Sequence, residues 1–383
     1  MARTLCASSL DEFREMEGEW RAVSGTCAPA LFSTFDLVEH WYRCFARPDQ
    51  IRVYGLGQPA ECIGYLPLVR RTFMGVRVLA PLANSHCFHA RGLVRNGWEA
   101  RFPALAQEAL SGDRHGWDAL QHDYSYSFDR LPPLAQPVDA GWDGVSVQPS
   151  VEPTFVIRLR SSFDEYMHGD LSKKNRNAVS RFRNRMKRAG AFGLRVCAGT
   201  DLARSWATFV EIEDSGWKGR RGSSIRRCAP SVSHYYEGLV SLLTTLGVGT
   251  LFFLDLEGEP IAAAFGYRDD RVFHCWKMSY LEARAEYAPA LVLLNLVVEW
   301  LIANCQGLQL LHLFPGDYGY KHRFVNEAAA SRGARVFNGT GRGHLVHAAW
   351  AAKRTVRQLV SGPSREGGSE TGTPVREDEE DAV

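Results

Sequence analysis

The stretch "HLFPGDYGYKHRF" collects His312, Asp317, Tyr318, Tyr320, Lys321 and His322 directly after an apolar run. Titratable and aromatic groups gathered on a loop behind a strand are a usual composition for a site, although several of them have equally ordinary structural uses. A second chemical signal is charge. "LSKKNRNAVSRFRNRMKRAG", residues 171–190, holds eight Lys or Arg and no acid. A solvated surface helix would usually alternate signs, and this one does not. "GWKGRRGSSIRR" adds Lys218, Arg220, Arg221, Arg226 and Arg227 among glycines and serines. Glycine lets backbone N–H groups come close to a phosphate and Arg offers bidentate contacts, so two basic elements in one half of the chain point to a polyanionic ligand.

Other chemistries lack their residues. No GxxxxGK[ST], GxSxG or well-placed GxGxxG is present, which disfavours P-loop hydrolases, serine hydrolases and dinucleotide-binding folds. "SHCFHA" offers His86, Cys87 and His89 without further clustered ligands, so buried or hydrogen-bonded histidines fit better than a metal site, and no metal is expected.

The elements that must position these groups follow from periodicity. Helices are expected at Leu10–Val23, after "LFST" with Ser33 or Thr34 as cap, and at Glu99–Ser111; strands at Ile51–Gly55, Glu61–Arg70, Val76–Ala80 and around Trp117–Gln121. Five prolines between Leu131 and Pro153 mark a domain boundary. The second half reads as a strand "TFVIRL", a helix near Phe163–Met167, and the basic helix. Leu171, Ala178, Phe182, Met186 and Ala189 give that helix a narrow apolar stripe, with Ser172 as cap and Gly190 as stop. Helices at Asp201–Asp214 and His234–Leu246 follow, then a meander "VGTLFFLDL", "PIAAAFGYR", "RVFHCWKMSY", a long helix Pro289–Asn304 with Pro289 at its first position, and a strand "LQLLHLF". The free N–H groups at the start of that long helix suit a pyrophosphate. The first half shows a shorter version of the same order. Fold class is therefore α+β, helices covering mixed, mostly antiparallel sheets, in two related modules. The amphipathic, basic "HLVHAAWAAKRTVRQLV" is read as closing the second domain rather than touching a membrane.

Length sets about two domains as the prior for 383 residues. Nine scattered cysteines, no CxxC and no secretory signal suit reduced thiols in a cytoplasm. The longest apolar stretch, Tyr287–Cys305, carries Pro289, Asn295 and Glu299 and reads as a buried helix. Residues 361–383 hold seven acids against two bases, leaving the first 360 at +7; this tail is expected to be disordered. The domains are placed at 1–150, 151–360 and the tail 361–383.

"LSKKNRNAVSRFRNRMKRAG", "EDSGWKGRRGSSI", "YYEGLVSLL", "GTLFFLDLEGEPIAAAFGYRDD", "YLEARAEYAPALVLL" and "FPGDYGYKHRF", in that order, resemble the GNAT-fold acyltransferases of the CelD (cellulose biosynthesis) type, relatives of the FemAB-like transferases. The resemblance covers most of residues 155–327, and "IGYLPLVRR" is similar to the family's N-terminal half. It implies two tandem GNAT-like (acyl-CoA N-acyltransferase) domains, with acyl-CoA or another activated acyl carrier as donor. Three positions depart from the family's pattern: Ala290 follows Pro289 where the family often has Gly, His312 stands where it commonly has Asp, and "SHCFHARG" stands where it often shows Asp-Tyr.

Acyl transfer to an amine needs a group that takes the amine proton and a donor for the developing oxyanion. GNAT folds are similar in using a strand N–H without a covalent intermediate, and "FHCWKMSY" is the candidate strand. His312 is the first candidate base, with Glu213, Asp317 and His89 as rivals; Tyr320 and Lys321 are candidates for the oxyanion or the leaving thiol. Donor contacts are expected from Lys173, Lys174 and Arg176, from Trp217, Lys218, Arg220 and Arg221, and from Pro289, Ala290 and Leu291. The expected function is acyl-CoA-dependent N-acylation of an amino sugar, an amino acid derivative or a long-chain amine resembling the substrates of bacterial ceramide synthases, in the cytoplasm or peripherally on the inner face of its membrane. O-acetylation of an exopolysaccharide is the alternative within the class. A nucleic-acid or anionic-membrane binder, in which the basic helix is the whole function, is the alternative from another class, although no nucleic-acid partner is expected.

Overall fold

The computed structural model describes residues 5–27, 31–58, 61–90, 92–126, 146–315, 319 and 321–361. Two compact units divide it, Met1–Glu152 with Ser331–Val383, and Pro153–Ala330.

The first unit begins with β1 (Leu5–Ala7), α1 (Leu10–Glu15), α2 (Glu17–Ser24) and α3 (Phe35–Phe45). The single helix expected over Leu10–Val23 is two, broken at Met16, which ends one and caps the next. β2 (Ile51–Gln58), β3 (Glu61–Phe73) and β4 (Val76–Ala80) form an antiparallel meander, β5 (Leu82–Asn84) and β6 (Cys87–Ala90) a separate hairpin, and β7 (Leu93–Val94) adds to β3. α4 (Phe102–Gly112) crosses over to β8 (Ala119–Tyr126), which runs parallel to β4. Phe102, Leu105, Ala106 and Leu110 of α4 bury themselves against Tyr54, Leu68, Leu79 and Leu120 of this sheet.

The second unit takes β9 (Ser146–Arg158) from Pro153 onward, α5 (Phe163–Glu165) running into a π turn (Tyr166–Asp170), α6 (Lys173–Ala189), β10 (Phe192–Ala198), α7 (Thr200–Ser215), α8 (Trp217–Arg220) and α9 (Pro230–Thr245). The meander β11 (Gly249–Leu256), β12 (Glu259–Asp269) and β13 (Val272–Tyr280) follows, then α10 (Pro289–Asn304) and β14 (Leu310–His312). β15 (Glu327–Phe337) and α11 (Gly341–Ser361) end the described chain. β10 and β15 are absent from the sequence expectation. β10 alternates half-buried and exposed side chains over only seven residues, a pattern hidden between two strong helices.

α6 starts where Ser172 Oγ accepts from Asn175 N and ends at Gly190, whose φ of 153° few side-chain-bearing residues adopt. Its buried residues are Val179 and Met186, with Phe182 packed beside them, while Ala189 is exposed. The stripe therefore runs through Val179, a residue outside the expected set. α10 buries ten side chains because it is apolar on nearly every side; each fully buried Leu or Val contributes about 1.5–3 kcal/mol. It and α6 cover the face of the meander carrying Phe252, Leu254, Ala264, Phe273 and Cys275, whereas α7 and α9 cover the other, where Trp206 and Phe209 meet Phe265.

Strand order in the first unit is β1-β2-β3-β4-β8-β15, and in the second β10-β11-β12-β13-β14-β9. In each, a meander leads through a helix to a strand parallel to its last member. The two units thus share one topology, the tandem arrangement that the resemblance implies. Their sixth strands are exchanged in sequence: β14 pairs with β9, which follows the first unit in the chain, and β8 pairs with Ser331–Phe337 of β15, which follows the second. Residues 331–360, placed in the second domain from the sequence, accordingly belong to the first unit. α11 packs there too, with Phe337 against His347 and Trp350. The acidic tail beyond Ser361 lies outside the described residues, as does most of the proline-rich boundary. Among the described residues no helix is long and apolar enough to cross a membrane.

Candidate functional site

β13 and β14 are paired only over Val272–His274 and Leu310–His312. Beyond His312 the chain turns to β9, with Leu313 N donating to Phe155 O at 2.8 Å. From Cys275 to Tyr280, β13 keeps its ladder with β12. A bulge lies in that ladder: Phe265 opposes Lys277 and Gly266 opposes Cys275, so Trp276 is the extra residue. Such a bulge bends the strand and re-aims the side chains after it.

Phe314 sits in the parting. Its φ is 58°, a left-handed conformation that costs a non-glycine residue roughly 1–2 kcal/mol. Its ring lies 4.4 Å from His312, 5.8 Å from His274 and 6.2 Å from Trp276. Lys321, buried, donates from Nζ to the carbonyls of Phe314 at 2.8 Å and Pro315 at 3.1 Å, fixing the turn.

After the bulge, Lys277 points to the α7 face. Its Nζ stands 3.0 Å from Glu213 Oε1 and 5.2 Å from the centroid of Tyr236. Lys218 Nζ reaches the same carboxylate oxygen at 3.3 Å, and Ile225 N donates to Oε2 at 2.9 Å. Burial alone would push the Glu213 carboxyl up; Lys277, Lys218 and the Ile225 N–H outweigh it and hold it below its ordinary value. Burial opposes the Lys277 ammonium, but Tyr236 and Glu213 keep its pKa above the ordinary value. Both groups are charged at neutral pH.

The neighbouring loop is built around the same helix end. Ser224 Oγ and Arg227 Nε both donate to Asp214 Oδ1, and α8 turns so close to α7 that a Cβ on Gly219 would stand 1.8 Å from Asp214 O. Glu213, Gly216, Trp217, Lys218, Ser279 and Glu282 line a pocket of about 40 Å³, the space of about three water molecules.

α10 begins at Ala288, in the left-handed region at φ 48°, with Pro289 as its first residue as expected. The basic helix α6 packs beside it: Arg183 donates to Asn295 Oδ1 at 3.2 Å and to Glu299 Oε2 at 2.8 Å, and Arg185 lies over Tyr287 at 5.8 Å. Arg185 is the α6 cation placed at the entry to α10, and the sequence did not single it out.

The residues expected in the site distribute as follows. Glu213, Trp217 and Lys218 come together with β13. Arg220 is instead paired with Glu282 at 2.8 Å, and Arg221 stacks on Trp217. Arg176 donates to the carbonyls of Met167, His168 and Leu171, closing the π turn rather than facing a ligand. Lys173 and Lys174 are exposed at the far end of α6. Lys321 is committed to two carbonyls, as above. His312 is fully buried: Nε2 is 2.8 Å from Thr154 Oγ1 and Nδ1 is 3.1 Å from His274 Nδ1. His274 stacks on Tyr267 and burial pushes its pKa down to about 3. His312 thus belongs to a buried polar chain under the strands, away from the pocket lining. His89 is in β6 of the first unit, with its side chain outside the described residues, as are Asp317 and Tyr320. Among the described residues no cluster of three or more His, Cys, Asp or Glu could hold a metal. Lys277 was missed although a signal existed: a lysine inside an otherwise apolar strand must find a buried partner.

Residues 173–322 match the Acetyltransferase (GNAT) domain family. No curated protein matches the chain. Among solved structures, it is similar to FemX at 12% identity and a TM-score of 0.53, over 83% of this chain and 95% of that one. It is also similar to the C-terminal domain (DUF2156) of a putative lysylphosphatidylglycerol synthetase from Agrobacterium fabrum, at 11% identity and a TM-score of 0.53, over 90% and 96%. A conserved protein of unknown function from Bacteroides thetaiotaomicron shares the fold at 9% identity and a TM-score of 0.50, over 84% and 97%. With the parted parallel strands and the family match over the same residues, the chain carries a GNAT acetyltransferase domain and is an acyltransferase.

Proposed function

We propose that the second unit transfers an acyl group from acyl-CoA to a primary amine, at the pocket between Glu213 and β13. One observation carries the reading: β13 loses its parallel partner after His274 and runs on, with no further strand on that edge among the described residues, between the start of α10 and the Glu213–Lys277 pair. Alternate N–H groups along such an edge point away from the remaining ladder and can hold an extended donor and the thioester oxygen. Ala288 N and Leu291 N donate to Ala285 O and Ala288 O and Pro289 has no N–H, so the pyrophosphate of the donor would meet the Ala290 N–H at the start of α10, with Arg185 near.

The amine enters as the neutral base beside Glu213 and Ser279, where Lys277, Lys218 and Arg220 already balance the Glu213 and Glu282 carboxylates. The lone pair of the neutral amine attacks the thioester carbon, and the nitrogen, once bonded to it, gives one proton to Glu213, directly or through one water. The C–N bond forms, the carbonyl oxygen takes up charge near the β13 N–H groups and Lys277, and the C–S bond then breaks. The thiolate leaves with the proton the amine gave up. His312 is replaced as candidate base by Glu213, because an acceptor amine cannot reach a side chain enclosed by Thr154 and His274.

The test is a series of acyl-CoA thioesters, acetyl to palmitoyl, read by melting temperature and by thiol release with an amino sugar, an amino acid derivative and a long-chain amine. A bound donor stabilises the fold by mass action. No shift and no release with any pair would reject the reading; release with alcohols but not amines would move it to O-acylation.

A further inference from the structure

Five large apolar side chains are prominently exposed among the described residues, and four of them belong to two elements of the first unit. Phe73 (47% exposed) and Met74 (89%) form the tip of the β3–β4 hairpin, and Leu345 (73%) and Val356 (58%) lie on α11. The elements adjoin: a Cβ on Gly75, next to Met74, would stand 3.2 Å from Arg342 Nη2 at the start of α11. Both are fixed to one carboxylate, Asp118, by Arg77 at 2.7 Å and Arg342 at 3.3 Å.

On α11, Leu345, Ala349, Ala352 and Val356 follow at helical spacing and all are exposed, so they make one outward stripe. The opposite side holds the helix down, with His347 and Trp350 on Phe337. The helix is therefore apolar on two sides, one buried and one not. Lys353 and Arg354 charge the helix, which has no acid from Gly341 to Ser361, and Arg70 and Arg71 flank the hairpin, while Arg77 and Arg342 are engaged by Asp118.

We propose that the Phe73–Met74 tip and the outer stripe of α11 form a docking surface for an anionic lipid bilayer. The tip and stripe enter the acyl boundary while the surrounding cations meet the headgroups. The chemistry separates this occupant from others. Aliphatic Met, Leu and Val offer nothing to a phosphodiester backbone. A second copy of the same surface would bring like charges together. The inference is independent of the acyltransferase site, which lies in the other unit.

The full chain would be sedimented with vesicles of phosphatidylcholine alone and of phosphatidylcholine mixed equally with phosphatidylglycerol. The expected result is binding about tenfold or more stronger to the anionic vesicles, weakened by salt, with Met74→Glu and Leu345→Glu each lowering it about tenfold at unchanged melting temperature. Because both positions are exposed, the second variant carries the test if the first fails to fold. The proposal is overturned by absence of binding to either vesicle or by binding that both variants leave intact. It is equally overturned by salt-sensitive binding to an RNA oligomer without vesicle binding, or by a vesicle-independent dimer that Leu345→Glu dissolves.

Discussion

Lys277 Nζ and Glu213 Oε1 are 3.0 Å apart, a strand lysine and a helix carboxylate that meet only because a bulge at Trp276 sets the strand's facing. Glu213 is buried and shared with Lys218, so the pocket wall holds a carboxylate that two ammonium groups keep ionised.

Breaking that pair should cost both activity and stability. Glu213→Gln is expected to lower turnover by about 10²–10⁴ and stability by about 3–5 kcal/mol, since it leaves a buried ammonium without its counter-charge. The double variant Glu213→Leu with Lys277→Met removes both charges and should recover most of the stability and none of the turnover. Recovered turnover would show that the pair is only structural. The folded pKa of Glu213 is lowered, so its contribution to stability is present above the ordinary carboxylate pKa and is lost as pH falls through the folded value. That of Lys277 is raised, so its contribution is lost only as pH rises through the folded value.

The buried His274 gives a second pH signature. Its folded pKa of about 3 lies below the ordinary value of 6.5, so the unfolded chain binds the extra proton between these two values and stability falls as pH drops through that window. Melting temperature measured from pH 7 to pH 4 should decline less steeply in His274→Gln than in the natural sequence. Parallel curves would mean that the histidine is accessible or charged in the folded state.

Lys321 is expected to act through Phe314. Lys321→Met removes two charge-assisted bonds to the left-handed turn, each worth about 1.5–3 kcal/mol. Both melting temperature and turnover should fall, with unchanged dependence of rate on pH. A changed pH–rate profile at unaltered stability would instead return Lys321 to the chemistry.

Along the basic helix the effects should be uneven. Arg185→Ala, beside the start of α10, is expected to raise KM for acyl-CoA about tenfold with little change in kcat, the pattern of lost uniform binding. Lys173→Ala and Lys174→Ala, exposed at the other end, should leave both constants unchanged. Equal effects at all three positions would mean that the helix acts as a diffuse charge.

Much of this was legible in the chain. The 3.6-residue spacing of α10 with Pro289 at its start, the period-two meander and the Ser172 and Gly190 signals at the ends of α6 are local, because helix and strand patterns and caps are written within a few residues. The charge of α6 was equally plain. Its use was not, because whether Arg176 faces a ligand or a backbone carbonyl depends on where the π turn folds back.

What tertiary structure alone decided concerns residues far apart in sequence. His312 was of a residue type suited to a base and stood on the expected strand, yet pairing of β14 with β9 encloses it against Thr154. Glu213 was one acid among several until the meander brought Lys277 to it across 64 positions. The exchange of β9 and β15 between units likewise has no local signature, since a strand's pattern records which of its faces is buried but not the strand beside it. The sequence by itself determined most of the elements and their order, though not β10 or β15, and the resemblance to an acyl-transfer fold. Packing determined which charges were left to do chemistry, because burial and partner choice are properties of the assembled sheet and its covering helices.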